Sequence, residues 1–263
     1  MGDCAVSQYR VHARNAAAMW EALSEGHGTL LVGTEELRIV APSPYHALRA
    51  IVVDPVANRA ATITAIVDTV VGTSGAARQV VEDASGELDL SRHGLEIRFR
   101  LTVMARPPGA WKSDPPPPGV RVELVTDQET LSIAEQILIS VFPPPGMPAD
   151  LRGRIQPVRV LGIPGWRVWL GYRDRVPAGA AYTYHDGLSL GVYQVGTLPE
   201  HRRHGVARAI MSAILRAYPD EVLTLSATDQ GRPLYTGLGF DVSSEAVWWR
   251  PIRSGDDSGQ GLR

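Results

Sequence analysis

The stretch from Val192 to Tyr218 limits what this chain can fold into more than any other. Val192–Thr197 mixes aromatic and β-branched residues and predicts a strand. Leu198-Pro199-Glu200 ends it, because proline has no N–H to give a ladder. The chain then passes through Arg202-Arg203-His204-Gly205-Val206-Ala207 into a segment where Ile210, Met211, Ile214, Leu215 and Tyr218 recur at helical spacing, and Pro219 stops it. A strand, a basic turn and a helix that starts at a glycine together make an anion site. The first N–H groups of the helix have no partner inside it, and the helix dipole favours negative charge there. Gly205 and Ala207 carry almost no side chain, so a pyrophosphate can approach the backbone.

Arg202-x-x-Gly205-x-Ala207, after a strand and opening a helix, resembles the acyl-CoA-binding motif of the GNAT superfamily of N-acetyltransferases. That family has Arg or Gln at the first position and Gly or Ala at the last. Leu234-Tyr235-x-x-x-Gly239-Phe240 resembles the family's L-Y-x-x-x-G-F, whose tyrosine sits beside the CoA sulfur. The family's Asn six residues before the leucine is Thr228 here, and its Ala three residues before is Gly231. Thr228 can still cap a helix, but lacks the amide that Asn offers the cofactor. The plainer readings are a βα unit with an exposed basic turn, and Tyr235 as a core aromatic.

The surrounding order fits the resemblance. Val120–Val125 predicts a strand and Gln128–Phe142 a helix with Leu131, Ala134, Ile137, Leu138 and Val141 inward. After a proline-rich loop, Phe142–Pro148, three strands follow at Trp166–Tyr172, Ala180–His185 and Leu190–Thr197, with hairpin-sized connections. Then come the motif helix, a strand at Val222–Ser226, a short helix near Arg232–Thr236 and a last strand from Phe240 to Arg250. This is the order of a GNAT domain, an α/β fold on a mixed sheet, over Gly119–Pro251.

The first half reads as a helix at His12–Ser24, strands at Thr29–Val32, Leu37–Val40 and Arg49–Asp54, a helix or strand at Ala60–Val71, and a strand over Gly94–Val103. Leu90-x-x-x-Gly94-Leu95 parallels Tyr235-x-x-x-Gly239-Phe240, while nothing there matches Arg-x-x-Gly-x-Ala. The resemblance therefore extends to a tandem GNAT protein with a degenerate first domain. Four consecutive prolines, Pro115–Pro118, favour an extended spacer. The expected division is residues 1–108, a linker at 109–119, a GNAT domain at 120–253 and a disordered tail at 254–263.

Composition mainly excludes. The net charge of −2 gives no electrostatic case for nucleic acid or anionic membrane. Lys112 is the only lysine, so the positive charge is nearly all arginine. The one cysteine, Cys4, rules out an intrachain disulfide and a cysteine metal cluster, and no metal site is expected. No apolar run is long enough for a membrane span and no signal peptide opens the chain, so a cytoplasmic protein, monomer or homodimer, is expected.

The resemblance implies acetyl-CoA as acyl donor and a primary amine of a small molecule or peptide as acceptor. It also implies site residues. The backbone of Val195 and Thr197 would bond the pantetheine, and the amides of Arg203, His204, Gly205, Val206, Ala207 and Arg208, with the Arg202 side chain, would hold the pyrophosphate. Thr228 would stand near the cofactor and Tyr235 would protonate the leaving thiolate. No general base stands out, since Tyr193 and Gln194 occupy the places where the family often has glutamate; His185, Asp186 and Tyr184 are candidates, and Trp166, Trp169, Tyr182 and Tyr184 could line an acceptor pocket. Two other classes stay open: a non-catalytic acyl-CoA-binding regulator, and a structural or partner-binding protein whose basic turn meets another phosphate.

Overall fold

The structure, a computed structural model, describes residues 2–25, 28–72, 78–111, 115–143 and 153–252, with the side chains of residues 2–7 left aside. The tail from 254, Lys112, the Cys4 side chain and the loop residues Pro144–Pro148 lie outside what is described.

The first half contains helix α1 (Gly2–Ser24), strands β1 (Thr29–Gly33), β2 (Leu37–Ala41) and β3 (Leu48–Val52), helix α2 (Arg59–Ile66), and strands β4 (Gln79–Asp83) and β5 (Leu95–Arg106). The second contains β6 (Val120–Leu124), α3 (Gln128–Val141), β7 (Trp166–Arg173), β8 (Val176–His185), β9 (Leu190–Thr197), α4 (Val206–Ala217), β10 (Leu223–Ala227), α5 (Arg232–Thr236) and β11 (Asp241–Pro251). Apart from β6, the two halves repeat one order: helix, three strands, helix, strand, one helical turn, strand.

Three elements differ from expectation. Helix α1 starts ten residues earlier than His12. The ambiguous Ala60–Val71 is helical: the Asn58 side chain accepts from the Ala61 N–H, 3.4 Å, and one π turn, Val67–Val71, continues the helix. Strand β4 went unread because Gln79, Glu82 and Asp83 interrupt its apolar pattern. All five of its residues are nonetheless buried, since strands flank it on both sides and Ile66 and Val70 of the α2 segment pack with Val81.

Among the described residues, eleven strands form one sheet in the order β1-β2-β3-β4-β11-β5-β10-β9-β8-β7-β6. The proline-rich segment falls between β5 and β6 in the chain, yet the sheet is not cut there. The last strand of each half crosses into the other: β11 pairs with β4, and β5 pairs with β10. At the centre β5 and β11 run antiparallel along almost their whole length. The short parallel Leu–Gly correspondence in the sequence marks this near-symmetry. Gly94 and Gly239 both take left-handed backbone, φ +77° and +82°, just before β5 and β11.

Helices α1 and α3 share one face of the sheet, over a cluster including Met19, Leu23, Leu131, Ile137, Trp166 and Tyr182. Helices α2 and α4 cover the other face. Ile210, Met211, Ile214 and Leu215 of α4 are fully buried, and each contributes about 1.5–3 kcal/mol on burial.

Candidate active site

The two halves differ most at their parallel strand pairs. In the first, β3 and β4 are paired from Leu48↔Gln79 to Val52↔Asp83, five rungs. In the second, β9 and β10 share only Leu190↔Leu223 and Gly191↔Thr224 before separating. A bulge keeps β9 from following β10. Two residues, Gln194 and Val195, stand on β9 between rungs that enclose only Ala181 on β8, and Gln194 takes φ +51°. The second half thus has a cleft between strands, and the first half has that place closed by backbone hydrogen bonds.

Val195 and Thr197 both lie on the diverging part of β9. The Thr197 carbonyl accepts from Arg202 Nε, 3.3 Å, so that side chain folds back along the loop. The Thr197 hydroxyl is buried and has no partner among the described residues.

Beyond the cleft the chain makes one 3-10 turn at Pro199–His201 and enters α4 through two left-handed residues, Arg203 (φ +66°) and Gly205 (φ +83°). No side chain caps α4, and no acid lies in its first turn. Arg202, Arg203, His204 and Arg208 are exposed around it, and among the described residues none of these arginines has an acidic partner within ion-pair distance. Free amides, a helix dipole and unpaired guanidinium groups all favour an anion at this point. Gly205 is required here twice over: its backbone is left-handed, and a Cβ on it would lie 2.7 Å from Pro117 Cγ. The polyproline segment thus rests against the loop, and Trp111 Nε1 donates to Ser212 Oγ of α4, 3.3 Å.

Tyr235 is 8% exposed and packs edge-to-face with Phe240, ring centroids 6.0 Å apart. Burial pushes its pKa up to about 12, so it is a neutral phenol with a proton to give. Thr228 accepts from the Gly231 N–H through its hydroxyl, 3.2 Å, and its carbonyl, 3.0 Å, and so shapes the turn into α5.

Of the base candidates, His185 and Asp186 stand at the joined end of β9, away from the cleft. His185 pairs with Leu190 across the ladder and lies 3.1 Å from the Glu221 carboxylate. Asp186 accepts from the N–H groups of Leu188 and Ser189, which is turn chemistry. Tyr184 pairs with Gly191, also at the joined end. Trp166 and Tyr182 are core, stacked at 5.0 Å and joined by Tyr193 at 5.3 Å from Tyr182, while Trp169 packs on the opposite face.

Sequence reasoning missed the contribution of α1. This helix crosses the second half on the face opposite α4, and two of its buried polar residues, one turn apart, bond the two banks. His12 reaches β10 through Thr224 and Ser226. Asn15 accepts from the Tyr193 hydroxyl of β9, 2.5 Å, and donates to the carbonyls of Ser189 and Tyr184. The available signal was a histidine and an asparagine at i and i+3 within a stripe of alanines and Met19.

Residues 164–242 match the family model of the acetyltransferase (GNAT) domain, a span from the start of β7 to the start of β11. The fold agrees with that match: over residues 164–242 the chain carries a GNAT acetyltransferase domain. In fold it is similar to a GCN5-related N-acetyltransferase from Kribbella flavida, at 21% identity and a TM-score of 0.67, over 92% of this chain and 96% of that one. It is similar also to a GCN5-related N-acetyltransferase from Sphaerobacter thermophilus, at 18% identity and a TM-score of 0.60, over 95% of both chains. A tandem GNAT protein from the clavulanic acid biosynthesis pathway aligns over 84% of this chain and 79% of its own, at 13% identity and a TM-score of 0.51. No curated protein matches.

Proposed function

We propose that the protein transfers an acetyl group from acetyl-CoA directly to a primary amine of a small molecule or peptide, using one site per chain in the second half. The observation that carries this is the contrast between the parallel pairs: β9 and β10 part after two rungs, above an uncapped helix ringed by arginine, whereas β3 and β4 stay joined. Backbone groups of Val195 and Thr197 on the free edge of β9 hold the pantetheine, and an N–H there polarises the thioester carbonyl as charge develops. The amides from Arg203 to Arg208, with the Arg202 side chain, hold the diphosphate. Thr228 keeps the turn that carries Tyr235, and Tyr235 gives its proton to the departing thiolate. The division into a degenerate first domain (1–108), a linker (109–119) and the acetyltransferase domain (120–253) follows the same contrast. No described helix is long and apolar enough to cross a membrane.

Thermal melting and calorimetry with acetyl-CoA test the reading. A ligand that binds only the native state raises Tm, by about 2.7 kcal/mol of stabilisation at 100 times Kd. The expected result is a clear rise with one acetyl-CoA bound per chain. No rise, or two equivalent sites, overturns it.

A further inference from the structure

The proton that must leave the acceptor amine has no exit among the groups described so far. Helix α1 supplies one. His12 is 7% exposed, and its ring lies 2.5 Å from Thr224 Oγ1 through Nδ1 and 2.9 Å from Ser226 Oγ through Nε2. Ser226 stands two residues beyond the last β9–β10 rung, so it belongs to the parted section of β10, on the face opposite α4. Its hydroxyl and the imidazole open on a small space of about 10 Å³, room for about one water, which Glu82, Trp248, Ala84 and Ala246 also line. An amine held in the parted section between β9 and β10 meets Ser226 on this face, while the first amides of α4 open on the other face of the sheet.

We propose that Ser226 and His12 form the proton exit of the acyl-transfer site, with Ser226 in contact with the acceptor nitrogen and His12 accepting the proton through it; this rests on the acetyl-transfer reading above. Thr224 and Ser226 both present hydroxyls to the ring, and the relay uses the tautomer protonated at Nδ1. With Nδ1–H donated to Thr224 Oγ1, the Nε2 lone pair faces the Ser226 O–H. Burial pushes the imidazole pKa down to about 4, so the ring is neutral at pH 7 and readily passes a proton on to water. Desolvation lowers the pKa of an ammonium held against Ser226 in the same way, which narrows the gap between donor and acceptor.

The steps balance. The ammonium nitrogen gives one proton to Ser226 Oγ as the Ser226 proton passes to His12 Nε2. The freed lone pair forms the N–C bond at the thioester carbon, the C–S bond breaks, and its electron pair leaves on sulfur. Sulfur takes the Tyr235 proton, the nitrogen's second proton replaces it on Tyr235, and His12 returns its own to water. One ammonium and one thioester become one amide, one thiol and one proton.

The test measures free CoA released from acetyl-CoA by the full chain with two probe nucleophiles, propylamine and hydroxylamine. Propylamine is protonated at neutral pH and needs a proton acceptor; hydroxylamine is already neutral. His12→Gln keeps both hydrogen bonds, with the amide oxygen toward Ser226 and the amide nitrogen toward Thr224, but is not basic. Ser226→Ala breaks the relay without touching His12 and carries the test if the first variant folds poorly. Both variants are expected to slow the propylamine reaction by about 100-fold or more, the range of general-base contributions, and the hydroxylamine reaction by less than about 3-fold. Equal rates with and without the substitutions, or equal losses for both nucleophiles, overturn the relay. Release no faster than the blank from the wild-type chain with both probes, while acetyl-CoA still raises its Tm, instead removes the transfer reading, and the relay with it.

Discussion

Substituting alanine for Gly205 puts the anion site to a quantitative test, because the first half contains a matched control. Gly205 sits at φ +83° and Gly94 at φ +77°, so in both places alanine is forced into left-handed backbone at about 1–2 kcal/mol. For a chain of this size that lowers Tm by about 2–8 °C in either variant. The surroundings then separate them. A Cβ on Gly94 meets only Val71 Cγ1 at 3.8 Å, an ordinary contact, whereas a Cβ on Gly205 comes within 2.7 Å of Pro117 Cγ. Gly205→Ala must therefore displace the proline segment or turn the loop amides away from the anion. Losing one charge-assisted contact costs about 1.5–3 kcal/mol, or roughly 10- to 150-fold in affinity. Calorimetric titration with acetyl-CoA, run beside thermal melts, should find Kd raised by that factor in Gly205→Ala and unchanged in Gly94→Ala, with a loss of Tm in both variants that is larger in Gly205→Ala. If Gly205→Ala binds acetyl-CoA as the wild type does, or Gly94→Ala weakens binding equally, the loop is not the diphosphate site.

Tyr235→Phe should lower the rate of CoA release at least tenfold and leave the acetyl-CoA Kd within about 2-fold, since only a proton donor is removed; an unchanged rate takes Tyr235 out of the mechanism. Stability should fall in acid because His12 is held neutral, its pKa pushed from 6.5 down to about 4 by burial. Between those values the unfolded chain binds a proton that the native chain does not, so this contribution is full above pH 6.5 and is lost as pH falls toward 4. From pH 7 to pH 5 the loss is about 2 kcal/mol, and urea melts of His12→Gln should show a correspondingly flatter dependence. An equally steep dependence in that variant would mean another group carries the effect; His46, pushed to about 3 by burial, is the next to replace.

Much of the second half was legible because its signals are local. Strand β9, the stop at Pro199, the glycine before α4 and the stripe from Ile210 to Leu215 each depend on residues within a few positions of one another. The same holds for the turn that Thr228 makes ahead of Tyr235. In the first half, β4 hid because its acids are buried for tertiary reasons. Asp83 binds the Leu88 and Ser85 amides, and Glu82 pairs with Arg49, although burial raises its pKa. Arg49 lies 33 positions from Glu82, far outside any local window.

The sequence by itself determined where α4 begins, since a glycine after a basic turn and an apolar stripe at helical spacing are properties of a dozen consecutive residues. Only the tertiary structure decided which parallel pair opens, how β5 and β11 change places, and that α1 lays His12 and Asn15 across the two banks of the cleft. The pairings of β5 with β10 and β11, and the bonds that α1 makes, join residues more than 110 positions apart. Local propensity carries no information about such contacts; they form only when the whole sheet is assembled.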